Sequence, residues 1–297
     1  MFRANLSSEG AGARKRGNEV EGYWVVYKIV SGRMVEKIKA WKRGSAPSVR
    51  RRRIKGSSTL KKLEANLRAA VRHLARIISS NFSRRDLLVT LSYDEEHLPK
   101  TWQAQEKSAA DFLRRLGRAR VKAGIREPMK WISVCSERDG DTEEPVRRHV
   151  HMVITGAGIE HRDGHWWVGE RTLDDIWGLG LVDGVPLRDQ ADYTALAIYL
   201  LRQAGREADR KKWHSSRNMA KPVITEEIAR TGREPRIPRG GKVMERQYDA
   251  EAGRSYIRYV APERNGGQDA LPGNIASACS SGGRPPIEGK ALRDEKC

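Results

Sequence analysis

His149 and His151 are the residues of this chain whose type and spacing best suit metal binding. They flank Val150 within an apolar run that ends at Ile154 and reads as a buried β-strand. Side chains alternate between the two faces of a strand, so both imidazoles point to the same side. Two imidazoles on one side can bind a single metal ion, although strand histidines also serve as ordinary hydrogen-bonding residues. The neighbouring segments therefore decide between a metal site and an ordinary histidine pair.

Glu137 is the candidate third ligand. It ends a strand-like alternating run that begins at Lys130, and the polar, turn-rich residues 138–145 separate it from the histidine strand. The two strands are predicted to form an antiparallel hairpin that places Glu137 across from the histidines. Two imidazoles and one carboxylate with open coordination positions are typical of a catalytic metal site. Alternatively, Glu137 is a solvated residue at the end of its strand.

Cys135 offers a structural alternative to the catalytic site. It shares the predicted face of Glu137, so Cys135 and the two histidines could form a zinc site. The cysteines at positions 135, 279 and 297 form neither a disulfide framework nor a Cys-x-x-Cys motif.

A helix predicted over residues 190–206 carries the candidate nucleophile. Its apolar stripe consists of Tyr193, Leu196, Ala197, Leu200 and Ala204. Tyr193 lies near the centre of the stripe, whereas Tyr199 lies about 110° away, beside Arg202, Gln203 and Arg206. Tyr193 is therefore predicted to be a core residue, and Tyr199 is predicted to be free for chemistry. The other interpretation of Tyr199 is a boundary aromatic whose hydroxyl meets water.

The histidine strand, the glutamate and the helix tyrosine together resemble the HUH endonucleases, specifically the rolling-circle replication initiators of plasmids and phages. Further segments resemble motifs common in that family: Leu87–Asp94 followed by Leu98-Pro99, Leu173–Gly180, and Trp213–Met219 followed by Pro222. The resemblance covers about residues 60–224 and depends on the order and spacing of the whole set. One departure is Arg202, which stands where the family usually has a lysine.

The resemblance implies a mechanism for this chain. Glu137, His149 and His151 would hold Mg²⁺ or Mn²⁺ against a phosphate of single-stranded origin DNA, and Tyr199 would attack phosphorus. The products would be a 5′-phosphotyrosine and a free 3′-hydroxyl that a polymerase can extend. Arg202 would contact phosphate in place of the family lysine. The second strand transfer would need Tyr193, a water molecule or another protomer.

Other functions stay open at this point. A relaxase or transposase of the same superfamily would use similar chemistry in another biological setting. A non-catalytic nucleic-acid-binding protein would use the same sheet and basic flanks, with histidines that are structural or metal-stabilised. Host helicase and polymerase are further expected partners of an initiator.

Composition favours nucleic acid as the partner. The formal net charge is +19 and the pI is about 10.1, which predicts salt-sensitive binding to phosphate backbones. Residues 1–82 contain 20 basic residues (Lys and Arg) and 5 acidic residues (Asp and Glu). Residues 83–201 contain 17 basic and 20 acidic residues, and residues 202–264 contain 16 basic and 9 acidic residues. The flanks are therefore expected to bind the backbone around a nearly neutral catalytic core. Candidate phosphate contacts are Arg51, Arg52, Arg206, Lys211, Lys212 and Arg217. Trp213, Tyr256 and Tyr259 either stack on bases or form small cores.

The predicted architecture is an α+β domain with one antiparallel sheet. Helices are expected on one face of this sheet, and the other face is expected to bind DNA and metal. The resemblance implies an HUH-like split βαβ core. This domain is expected over residues 57–224. A basic, partly disordered region with one hairpin near residues 22–38 would precede it (1–56), and a basic, largely disordered region would follow (225–297). No stretch is apolar enough to span a membrane, and the N-terminus lacks a signal-peptide core, so a cytoplasmic protein is expected.

Overall fold

The structure is a computed structural model that describes residues 22–43, 60–139, 142, 144–205, 210–229, 234–249 and 253–262. Its helices are α1 (Leu60–Asn81), α2 (Trp102–Lys122), α3 (Leu173–Trp177) and α4 (Thr194–Gln203). Its strands are β1 (Gly22–Ser31), β2 (Met34–Arg43), β3 (Leu87–Ser92), β4 (Trp131–Arg138), β5 (Pro145–Ile154), β6 (Glu160–Arg162), β7 (His165–Val168), β8 (Arg171–Thr172), β9 (Val182–Pro186), β10 (His214–Ser215), β11 (Val223–Ile228), β12 (Lys242–Asp249) and β13 (Arg254–Val260).

Antiparallel sheets carry the architecture. The central sheet has the strand order β10-β4-β5-β3-β9, and the terminal sheet has the order β11-β1-β2-β13-β12. A third, small sheet consists of β6, β7 and β8. The predicted α+β class with an antiparallel sheet is confirmed. None of the helices in the described residues combines the length and the hydropathy of a membrane span.

Helices pack on both faces of the central sheet, so the prediction of helices on one face is wrong. Side chains of α2 and α3 form one core with Val89 and Met152, while α1 and α4 form a second core with Val134 and Val153. Met152 and Val153 are adjacent on β5, so their side chains leave opposite faces. The histidines lie on the face that α1 and α4 cover only in part.

The terminal sheet changes the predicted domain boundaries. The expected hairpin is present as β1 and β2, but β11, β12 and β13 come from the region expected to be disordered and complete the same sheet. A boundary after residue 224 would cut through β11. The sequence pattern does not predict β11 or β13. β11 is exposed at an edge and β13 is buried on both faces, so neither shows the alternation of apolar and polar residues that is typical of a half-buried strand. Residues 1–21 and 263–297 lie outside the described residues, and so do the predictions of disorder made for them.

Buried charges join the terminal sheet to the helices that border the site. Arg76 of α1 forms a two-point ion pair with Glu36 of β2, which also accepts a hydrogen bond from the Tyr256 hydroxyl. Arg258 of β13 lies 3.6 Å from Asp192, just before α4, and donates to the Thr194 hydroxyl. The sheet built from the two flanks therefore supports the start of the tyrosine helix.

Candidate metal and tyrosine site

Three side chains converge at the end of α4. Nε2 of His149 lies 3.0 Å from Nε2 of His151, and Oε1 of Gln203 lies 3.2 Å and 3.0 Å from these two atoms. His151 is 3% exposed and Gln203 is 4% exposed. Strand alternation brings the two imidazoles together, and the last turn of α4 brings the amide to them.

The other ring nitrogens indicate where the protons are. Nδ1 of His149 lies 2.9 Å from the carbonyl oxygen of Arg147, which can only accept, so this nitrogen carries the proton. Nδ1 of His151 lies 3.0 Å from the Thr90 hydroxyl, which can either accept a proton from this nitrogen or donate one to it. When both rings carry their proton on Nδ1, both Nε2 atoms are free to bind a metal ion; in the other tautomer of His151, its Nε2 donates to Oε1 of Gln203.

His151 is held in its neutral form. Burial lowers its pKa from 6.5 to about 4, and the neighbouring His149 adds to this effect, while the hydrogen bond to Gln203 opposes it. A neutral imidazole is the form that binds metal ions.

The geometry fits a divalent cation. In the tautomer with both ring protons on Nδ1, three acceptor atoms face one another, and a cation among them would stabilise that arrangement. Imidazole nitrogen and amide oxygen are both ligands of divalent metals. In the described part of the chain, no three His, Cys, Asp or Glu side chains form a metal-holding group, so Gln203 is the third ligand available.

Tyr199 lies directly beside this cluster. Its hydroxyl is 3.4 Å from Nε2 of His151, and the two ring centroids are 5.2 Å apart. The tyrosine is 45% exposed. Tyr199 and Gln203 are one helical turn apart, which places both on the same side of α4. The tyrosine therefore combines access from solvent with contact to the cluster.

Tyr193 belongs to the core, as the helical wheel predicted. It is 2% exposed, and its hydroxyl donates to the carbonyl oxygen of Arg188. Burial raises its pKa to about 12. The helix begins at Thr194 instead of residue 190, because the Asp192 carboxylate accepts from the backbone and hydroxyl of Thr194. Tyr193 therefore precedes the helix and lies away from the histidine cluster.

Glu137 does not join the histidines, so its prediction as a ligand on their face is wrong. In the observed register Val134 pairs with His151 and Ser136 pairs with His149, which places even-numbered β4 residues on the histidine face. Glu137 follows on the opposite face at a register shift. Its carboxylate lies 3.1 Å from Arg210 and 3.6 Å from Arg148. Both neighbours are cations, so Glu137 forms ion pairs there.

The alternative zinc site is excluded by the same alternation. Cys135 packs in the core formed with α2 and α3, whereas the histidines lie on the other face. Burial raises the pKa of its thiol to about 12. Cys135 is therefore a buried core thiol.

No family model, curated protein or solved structure matches this chain.

The predicted DNA-contacting residues fall into three groups. Arg202, Lys211 and Arg217 are exposed, and Lys212 is partly exposed. Arg51, Arg52 and Arg206 lie outside the described residues. Tyr256 and Tyr259 are 5% and 3% exposed, so they are core residues of the terminal sheet and do not stack on bases. Trp213 is partly buried against the core of α1 and α4 and also borders a cavity.

Two further residues shape the site. Gln105 of α2 is buried and donates from Nε2 to the carbonyl oxygens of Ser136 and His149, at 3.1 Å and 2.7 Å. It holds β4 and β5 together beside the cluster. Gln203 had a sequence signal, since it follows Tyr199 by one helical turn, whereas Gln105 had none.

Proposed function

We propose that this protein cuts single-stranded DNA by attack of Tyr199 on a phosphodiester, assisted by a divalent cation held by His149, His151 and Gln203. The observation that carries the proposal is the position of Tyr199, a residue that is 45% exposed and whose hydroxyl lies 3.4 Å from Nε2 of His151 in the cluster formed with His149 and Gln203. A purely structural histidine pair would not need an accessible tyrosine beside it.

The reaction conserves the phosphodiester bond. Tyr199 loses its proton and its oxygen bonds to phosphorus, while the bond from phosphorus to the 3′ oxygen breaks and that oxygen takes up a proton. The 5′ strand end is then joined to Tyr199, and the 3′-hydroxyl is free. The stored phosphotyrosine bond allows a later 3′-hydroxyl to rejoin the strand without ATP.

The chain's own residues position and activate the nucleophile. An unperturbed tyrosine has a pKa near ~10, so ionisation needs help from nearby positive charge. Arg202 is exposed one turn after Tyr199 and can contact a phosphate next to the scissile one. A bound Mg²⁺ or Mn²⁺ would supply Lewis-acid polarisation of the scissile phosphate.

The biological setting we propose is rolling-circle replication. The free 3′-hydroxyl suits extension by a host polymerase, with a host helicase to open the duplex. Origin DNA of the replicon that carries this chain is the substrate expected to be cut. A relaxase or transposase would form the same covalent bond on a different DNA.

Adduct formation tests the proposed chemistry. The protein is incubated with single-stranded DNA from the flanking replicon in Mn²⁺ or Mg²⁺, and a denaturing gel reveals any DNA-linked protein. Wild type and Tyr193→Phe should form the adduct, whereas Tyr199→Phe and wild type in EDTA should not. Tight DNA binding without an adduct, across both metals and several origin candidates, would favour a non-catalytic binding protein.

A further inference from the structure

A cavity lies apart from the histidine cluster. Its volume is about 410 Å³, within the range of small-molecule sites, and it opens between α1, the β1–β11 edge of the terminal sheet and the segment that contains β10. Residues 213–222 include the family-like segment Trp213–Met219 and Pro222, which have no part in the proposed cleavage reaction. Side chains of this segment line the cavity.

The walls of the cavity differ in chemistry. Its inner surface includes the buried side chains of Ile29 and Ile77. Trp213 forms one side, and its ring centroid is 5.7 Å from that of His73. The cavity therefore offers an aromatic ring and an aliphatic surface to a flat apolar group.

The charged residues that line the cavity are all cations. Arg217 and Lys221 are exposed, and within the described ranges neither forms an ion pair. Arg76 is already held by Glu36 in the interior, so the two exposed cations are the ones available to an anionic ligand. Unpaired cations at the opening suit an anion that stays partly hydrated.

The strand arrangement relates this cavity to the tyrosine site. Trp213 immediately precedes β10, which pairs with β4, and β4 pairs with the histidine strand β5. Two strand spacings correspond to roughly 10 Å. A polymer bound at one site therefore has a short path to the other.

We propose that this cavity binds one nucleotide unit, with its base against Trp213 and its phosphate at Arg217 and Lys221. A base is flat and apolar on its faces, and the phosphate supplies the anion. The assignment to a nucleotide of the DNA strand, and not to a free nucleotide, rests on the function proposed above. The site would anchor the strand while Tyr199 attacks a neighbouring phosphate.

Oligonucleotide binding without cleavage tests this proposal. Fluorescence anisotropy of a labelled single-stranded oligonucleotide is measured in EDTA for the full chain and for Arg217→Gln/Lys221→Gln. The matched control is Arg118→Gln/Lys122→Gln, which removes two exposed cations one turn apart on α2, on the other face of the central sheet. The cavity variant should bind at least about fivefold more weakly, with the slope of log K against log salt reduced by about 1, while the control binds like wild type.

A separate variant, Trp213→Leu, tests the proposed contact with the base. Trp213→Leu keeps apolar volume but removes the ring, and we expect at least about fivefold weaker binding with an unchanged circular dichroism spectrum. Should Trp213→Leu unfold the protein, the two-cation variant still decides the question. Equal affinity of the cavity and control variants would overturn the proposal.

Mononucleotides distinguish the two sources of the ligand. Deoxynucleoside monophosphates are added as competitors at millimolar concentration, and no competition is expected for a site that uses the strand. Competition that disappears in Arg217→Gln/Lys221→Gln would confirm a nucleotide site but assign it to a free nucleotide. Because the assay needs no cleavage, a failed adduct test would leave this result standing, and a normal adduct with unaffected binding would remove only the cavity proposal.

Discussion

His149, His151 and Gln203 point three acceptor atoms toward one another, and this arrangement explains most of the chemistry we assign. The carbonyl of Arg147 directs the Nδ1 proton of His149 outward, and the hydroxyl of Thr90 can accept the Nδ1 proton of His151. In that tautomer the site receives a cation without first losing a proton. Gln203 contributes no negative charge, so a bound divalent cation would keep its full charge for a phosphate substrate.

Replacing Gln203 should weaken metal binding. Gln203→Ala removes one of the three proposed ligands, and we expect Mn²⁺ affinity to fall at least about tenfold, since even indirect partners of metal ligands have effects of that size. Isothermal titration calorimetry would measure it. Glu137→Gln is the matched control and should keep wild-type affinity, because Glu137 pairs with Arg210 on the other face. The reverse ranking of the two variants would restore the glutamate as the ligand.

His151 should make the stability of the metal-free protein depend on pH. Its pKa is 6.5 in the unfolded chain and about 4 in the fold. As pH falls below 6.5, the unfolded state binds a proton that the folded state does not, so stability falls until pH reaches about 4. The loss is up to about 3 kcal/mol.

Urea unfolding in EDTA between pH 7 and pH 4.5 would reveal this dependence. The dependence should be smaller in His151→Gln, whereas His161→Gln, which replaces an exposed histidine, should behave like wild type. Identical pH profiles for wild type and His151→Gln would show that His151 is not kept neutral by the fold.

The elements that carry the site were largely predictable, but their pairing was not. Apolar periodicity predicted β3, β4, β5 and α4 because each has a clear buried face. On both sides of the irregularity near Glu137, even-numbered residues of β4 pair with odd-numbered residues of β5, which include the histidines. The sequence leaves this register open, and a shift of one residue would move Glu137 to the histidine face. For that reason the histidines and Tyr199 were placed together from sequence, while Glu137 was assigned wrongly.

The ion pair between α1 and the terminal sheet should matter greatly for stability. Glu36 is 1% exposed and pairs with Arg76, so Arg76→Met leaves a buried carboxylate without its cation. We expect a loss of about 3–5 kcal/mol in unfolding free energy. Adding Glu36→Gln to Arg76→Met should recover part of that loss in chemical denaturation. A loss below about 1 kcal/mol in the single variant would mean that this pair contributes little to joining the two layers.

At the scale of the molecule, the segments on both sides of the central sheet build one further sheet. In the terminal sheet, the β1–β2 hairpin from residues 22–43 lies between β11 on one side and β13 with β12 on the other, and Arg258 connects the sheet to the start of α4. Sequence could not predict this association, because pairing between segments about 200 residues apart depends on contacts that neither segment encodes alone. The charged flanks therefore help to support the site as well as raise the net charge.

Truncation tests this structural role. A chain that ends at residue 224 loses β12, β13 and most of β11, and it uncovers the apolar surface around Val35. We expect it to be insoluble or to melt at least about 10 °C lower, because the apolar burial that it loses stabilises the full chain by several kcal/mol. A chain that ends at residue 264 keeps every described residue and should melt like the full protein. Equal melting temperatures for the two truncations would show that the terminal sheet is dispensable.

The most direct measurement of the central claim is the identity of the DNA-linked residue. The covalent adduct is formed in Mn²⁺, digested with nuclease and trypsin, and analysed by tandem mass spectrometry. Cleavage after Arg188 and Arg202 yields one peptide that contains both Tyr193 and Tyr199, so fragment ions must separate the two. We predict a nucleotide mass on Tyr199 alone. A nucleotide on Tyr193, or on any residue outside this peptide, would contradict the assignment of the nucleophile.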